Sequence, residues 1–208
     1  MSTNVERIPY KKALDAAMLL MEDFNPVCEN IQIAGSIRRQ KSDIGDIELV
    51  CIPKKEPSKQ MSFFDEPKLE VSKAFRAMIN KYYRIKGETT GRYLQLLISV
   101  KYPEGGEEIC CNLKVDVFMP VAADFGRIFA IRTGPSDYSK NVLAVGWRKL
   151  GWVGTSDGLR RQSECIENVA NKQWSCKTTN PTLPPFFETE PQFFEFLGIK
   201  WIEPKYRK

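Results

Sequence analysis

The sequence predicts an α+β protein, a mixed sheet with packed helices followed by a small α/β subdomain at the carboxy terminus. Three observations predict it. Apolar residues recur at helical spacing over residues 9–24, short runs of β-branched and aromatic residues read as strands between there and residue 119, and the pattern changes after Thr133-Gly134-Pro135. At 208 residues the chain can bury a sizeable core in one domain or in two small ones.

Taken in order, Pro9 suits the start of a helix whose Ala13, Ala16, Ala17, Leu20 and Phe24 fall on one face. Residues 31–34 and 47–52 read as strands, parted by a segment of glycine, serine, arginine and aspartate that cannot be regular sheet. Residues 53–67 carry three prolines and several charges and read as an exposed excursion, in which Phe63-Phe64 either anchors a partner or packs back on the sheet. A helix is expected over about 68–83. Strands at 93–102 and 110–119 follow, joined by the turn signal Pro103-Glu104-Gly105-Gly106. Beyond Pro135 the sequence predicts a helix over 136–150, irregular segments rich in Gly, Ser, Asn and Pro, a short aromatic-rich helix over 191–197, and a polar tail over 201–208.

Composition narrows the chemistry. A net charge of +5, from 31 basic and 26 acidic residues, permits a polyanionic partner without demanding one. With no histidine, catalysis has to rest on carboxylates, lysine, arginine, hydroxyls or cysteine. The six cysteines form no Cys-x-x-Cys pair and read as buried reduced thiols rather than a zinc site. No apolar run is long enough to span a bilayer, and the amino terminus lacks the apolar core of a signal peptide, which predicts a cytoplasmic protein with no membrane partner.

The most informative stretch is AGSIRRQKSDIGDIELVC, residues 34–51. Side chains two apart on a strand share a face, so Asp46 and Glu48 project together while Ile47 and Leu49 enter the core. Two adjacent carboxylates repel, and a divalent cation relieves them most directly; the plainer reading is an edge strand with solvated acids. Asp116, in Lys114-Val115-Asp116-Val117-Phe118, alternates in the same way and is either a third acid on that face or an ordinary strand-end acid. Three such carboxylates could hold two magnesium ions, with manganese as a substitute. Gly35-Ser36 after a strand, with Arg38-Arg39 next and Gly45 close behind, suits a turn that faces phosphate, although arginine pairs are also common on plain surfaces.

The order Gly-Ser-x-Arg-Arg, Gly-Asp-x-acid and a distant strand aspartate resembles the nucleotidyltransferase superfamily, and specifically DNA polymerase family X, the DNA polymerase beta-like enzymes. Ile8-Pro9, Lys86-Gly87-Glu88-Thr89, Thr133-Gly134 and the closing Glu203-Pro204-Lys205-Tyr206-Arg207 look like family landmarks in family order. The resemblance implies a nucleotidyltransferase palm over residues 1–132 and a nascent-base-pair-binding subdomain over 133–208. It implies Asp46, Glu48 and Asp116 as catalytic metal ligands for two Mg2+ ions, with Asp116 also accepting the primer 3′-hydroxyl proton. Gly35, Ser36, Arg38, Arg39, Gly45, Thr133 and Gly134 are the implied contacts to a nucleoside triphosphate.

The implied activity is DNA polymerisation on a primer-template or gapped DNA, of the kind that serves DNA repair, by a monomeric enzyme. Alternatives are a template-independent or small-molecule nucleotidyltransferase and a nucleic-acid-binding module with a degraded active site. Glu48 stands where polymerases of the family have aspartate, Ile131-Arg132 replaces an aromatic pair, and Leu143 stands where a helix arginine often touches the template. Because the sequence begins almost at the palm, the resemblance implies a minimal form without the lyase domain. It also implies a cis bond at Gly134-Pro135. Trp147, Trp152, Trp174 and Trp201 read as core residues before base-stacking ones. Arg148, Lys149, Arg160, Arg161, Lys172 and Lys177 either follow a nucleic-acid backbone or keep the subdomain soluble.

Overall fold

A computed structural model describes residues 7–58 and 69–208, and they form a mixed α+β architecture of two compact units, Met1–Val121 and Ala122–Lys208. Phe63 and Phe64 lie outside the described residues. No helix among the described residues is long and apolar enough to cross a membrane.

The first unit is built on a five-stranded sheet in the order β2-β4-β9-β8-β7. These strands are β2 (Cys28–Ile33), β4 (Asp46–Pro53), β7 (Tyr83–Gly87), β8 (Tyr93–Glu104) and β9 (Glu107–Phe118). β4 and β9 run parallel, and every other pairing is antiparallel, so the sheet is mixed as expected. The β8–β9 hairpin closes through Gly105-Gly106, both at positive φ (61° and 89°), which a two-residue type I′ turn requires and glycine adopts without strain.

Helix α1 (Tyr10–Phe24) buries the five residues that its spacing singles out, Ala13, Ala16, Ala17, Leu20 and Phe24. They pack with Ile47, Leu49, Leu94, Leu96, Val115 and Val117 of the sheet in one core. Phe24 meets Phe75 of α3 (Lys73–Ile79) edge to face at 6.1 Å. α3 is shorter than the helix expected over 68–83. Ser72 caps it by accepting the Phe75 amide at 3.2 Å, and the flanking residues are drawn into strands, β6 (Leu69–Val71) pairing with β5 (Lys55–Pro57) and β7 pairing with β8. Near the amino terminus β1 (Ile8–Pro9) pairs with β3 (Asp43–Ile44), which ties the start of the chain to the loop before β4.

The second unit opens at Ala122, and its α4 (Phe125–Thr133) sends Ala130 and Ile131 into its core. The helical run expected over 136–150 is present as α5 (Ser136–Tyr138), a π-helical stretch (Ser139–Ala144) and α6 (Val145–Lys149). Leu143 is fully buried there. The Gly134-Pro135 bond is cis, as expected.

Residues 152–176, which read as irregular from sequence, instead form a four-stranded sheet in the order β11-β10-β13-β12. The strands are β10 (Trp152–Thr155), β11 (Gly158–Arg161), β12 (Cys165–Asn168) and β13 (Gln173–Cys176). Only β13, Gln-Trp-Ser-Cys, alternates polar and apolar residues in sequence; β10, β11 and β12 do not. Of the tryptophans, Trp147 and Trp152 are buried core residues, whereas Trp174 is half-buried and Trp201 exposed. Arg161 of the basic group lies 4.2 Å over the Trp152 ring.

The carboxy-terminal tail is not simply polar surface. Arg207 and Glu190, with side chains 0% and 3% exposed, pair at 2.8 Å. Glu190 belongs to α7 (Glu190–Phe196), the aromatic-rich helix expected near this position. The Arg207 Nε donates to the Ile202 carbonyl at 2.9 Å, and its guanidinium lies 5.0 Å from the Phe194 ring. Trp201 donates from Nε1 to the other Glu190 oxygen at 2.8 Å. Removing one member of a buried pair leaves the other charge uncompensated, so Arg207→Ala should destabilise the second unit by about 3–5 kcal/mol in chemical denaturation. A loss below about 1 kcal/mol, the range of surface pairs, would contradict this account.

Candidate active site

The site is built by alternation along two neighbouring strands. In β4 the side chains of Ile47 and Leu49 are fully buried in the core, and Asp46 and Glu48 face the other way. The parallel register sets Glu48 beside Asp116 and Asp46 beside Lys114. β8 adds Gln95 on the far side of Asp116. Asp116 Oδ1 accepts hydrogen bonds from Tyr93 Oη at 2.8 Å and Gln95 Nε2 at 2.6 Å, which orient the carboxylate.

Beside these strands lies an open cleft of about 690 Å³, lined by Ser36, Arg39, Lys41, Ser42, Asp43, Gly45, Asp46, Arg7, Gln95 and Lys114. Four of its lining side chains are cationic. Burial, and then the negative charge of Asp116, push the Asp46 carboxyl above its ordinary value against the pull of Arg7, Arg39 and Lys114. The Ser36 hydroxyl is buried and meets no hydrogen-bond partner among the described residues. Such a group is costly unless something else pairs with it.

α2 (Gly35–Arg38) opens directly after β2, and the Ala34 amide bonds the Glu48 carbonyl at 2.8 Å, so the turn and the acidic strand are held together. Gly35 has φ +61°, and a Cβ placed there would come within 2.0 Å of Glu48 Oε2. The Glu48 carboxylate therefore rests against Gly35. Among the described residues no three acidic or cysteine side chains are gathered closely enough to form a ready metal cluster. The donors on this face are nonetheless all oxygens, the set that hard divalent cations take, and the mutual repulsion of Asp46 and Asp116 favours a cation there.

The structure thus brings Ser36, Arg39, Gly45 and Asp46 to one cleft, with Asp116 within electrostatic reach of Asp46. Arg38 is half-buried at the end of α2 and does not line that cleft. Thr133, fully buried, and Gly134 end α4 in the second unit. Tyr93, Gln95, Lys114, Arg7 and Lys41 were not singled out from sequence. The polar members of Tyr93-Leu94-Gln95-Leu96 and the Lys114/Asp116 alternation carry a signal of face, but not of which strand lies alongside. A second cavity of about 340 Å³, lined by parts of α1 and β8 with Tyr82, holds none of the predicted site residues.

No protein-family model matches this chain, and a search of curated proteins finds no match.

A carboxyl raised on folding favours the folded state fully below its unfolded pKa, and that contribution is lost as pH rises through the folded pKa. In metal-free protein Asp46→Asn should therefore raise the thermal midpoint at about pH 7, with the gain vanishing by about pH 3, where aspartate is protonated in either state. Thermal scans across that range check it; a variant less stable than the parent at neutral pH would show that Asp46 is not under strain.

Proposed function

We propose that the chain is a nucleotidyltransferase of the DNA polymerase beta kind, with the first unit as its palm, which adds deoxynucleotides to a primer 3′-hydroxyl and releases pyrophosphate. The observation that carries this reading is the placement of Asp46, Glu48 and Asp116 on one face of adjacent strands, beside a cationic cleft that includes Ser36 and Arg39. A nucleoside triphosphate is the ligand that such a cleft suits. The Ser36 hydroxyl and the Arg39, Lys41 and Lys114 cations donate to phosphate oxygens, and Gly45 lines the same cleft without a side chain.

Asp46, Glu48 and Asp116 are the residues that would hold Mg2+, Glu48 by turning off Gly35. The bound ions supply charge neutralisation at the transferring phosphate. Asp116, oriented by Tyr93 and Gln95, takes the hydroxyl proton as the new phosphorus–oxygen bond forms and the bond to pyrophosphate breaks. Primer-template DNA is the proposed partner.

The template-independent alternative draws on Leu143, an uncharged and fully buried side chain at the position where the resemblance expects an arginine that touches the template. Extension of a labelled primer with single deoxynucleotides, with and without template, in Mg2+ or Mn2+, separates the readings. Templated incorporation is the expected result, and addition regardless of template favours the alternative. No turnover under any condition would overturn the enzyme reading in favour of a binding module.

Asp116→Asn keeps an Oδ1 acceptor for Tyr93 and Gln95, so it should fold normally while losing at least about 100-fold in incorporation rate. Unchanged turnover in that variant removes Asp116 from the chemistry. Ser36→Ala removes a buried hydroxyl that meets no partner among the described residues, so it should leave the ligand-free protein at least as stable, and raise the KM for the triphosphate by about tenfold, as expected for one lost hydrogen bond to a charged group. An unaltered KM would take Ser36 out of the nucleotide site.

A further inference from the structure

In the second unit β12 and β13 set Cys165 directly opposite Cys176, and the two Sγ atoms lie 3.4 Å apart. Residues opposite one another on antiparallel strands have Cα atoms about 4.5–5.5 Å apart. That falls inside the separation of about 4.4–6.8 Å that a disulfide accepts, and the covalent sulfur distance of about 2.0 Å is reached by side-chain rotation without a change of register. Access is divided between the two thiols: Cys165 is buried, while Cys176 is half-exposed. Burial first, and then its contact with Cys176, hold the Cys165 thiol up at about 11, so the sulfur open to solvent is the one placed to react first.

The other cysteines lack this combination. Cys51 contacts Cys28, but both are buried in the first unit's core. Cys110 is exposed, but its partner across the hairpin is Lys101.

We propose that Cys165 and Cys176 are a reversible oxidation site whose oxidant is a small disulfide of the glutathione class. The Cys176 thiol gives up its proton to solvent, and its thiolate attacks one sulfur of the disulfide. The S–S bond breaks, one glutathione thiolate leaves and is protonated, and a mixed disulfide remains on Cys176. Cys165 then loses its proton and attacks the Cys176 sulfur, expelling the second glutathione. Two protein thiols are oxidised and one glutathione disulfide is reduced to two thiols, with no further reactant. The product staples β12, an edge strand that pairs with β13 alone in its sheet, to the strand that holds it.

The test uses the full chain without denaturant, incubated with glutathione disulfide, quenched in acid, alkylated and analysed by peptide mass spectrometry. The expected product is a Cys165–Cys176 cross-linked peptide pair about 2 Da lighter than the reduced pair. Excess reduced glutathione reverses it, and Cys28 and Cys51 remain protected. Cys110 carries glutathione at most, and Cys165→Ser arrests Cys176 at the mixed disulfide. Amide exchange in β12 slows in the oxidised protein. The proposal is overturned if no cross-link forms, if it forms only after unfolding, if wild-type Cys176 stops at the mixed disulfide, or if β12 exchange is unaltered by the bond.

Discussion

The parallel pairing of β4 with β9 is the constraint on which the candidate site depends. It sets Glu48 beside Asp116 and Asp46 beside Lys114, and in the same stroke sends Ile47, Leu49, Val115 and Val117 into the core. A slip of one residue would turn the acids inward and the aliphatic residues outward, so burial of the hydrophobic face locks the polar face in place. The antiparallel β8–β9 register then carries Gln95 to Asp116, and Tyr93 reaches the same carboxylate oxygen from two residues away on β8.

Electrostatics on that face are unbalanced. Asp46 is partly buried next to Asp116, and Arg7, Arg39 and Lys114 compensate only in part, so the Asp46 carboxyl stays above its ordinary value. A face that repels itself while its cleft is lined by cations is suited to a ligand carrying both signs, as a metal-bound triphosphate does. The proposed nucleotidyl transfer rests on this agreement between strand geometry and charge. The stability that tolerates such a face comes from the opposite side of the sheet, where α1 and α3 close an apolar core. The second unit uses charge differently, burying Arg207 against Glu190 and satisfying most of their polar atoms within the fold.

Much of this was legible in the residues themselves. The period of α1, the alternation in β4 and β9, the Gly105-Gly106 turn and the common face of Asp46 and Glu48 are local properties, set by the geometry of three to four or two residues. The short strands between Trp152 and Cys176 were not legible, because β10, β11 and β12 show no alternation of polar and apolar residues and β13 alternates over four residues alone. The helix expected over 68–83 is confined to α3 because its flanks pair as β6 with β5 and β7 with β8, partners that no local pattern reveals.

What the sequence alone determined, then, was which side chains share a face of their own strand and which residue types were there to do chemistry. Only the tertiary structure decided which strand lies beside which. That choice adds Tyr93, Gln95 and Lys114 to the acids, rests Glu48 on Gly35, places Cys165 against Cys176 and turns a polar tail into a buried ion pair. The physical reason is separation along the chain: periodicity repeats within a few residues, whereas the β4–β9 register is selected by burial on both strands at once, across an intervening stretch that no local pattern spans.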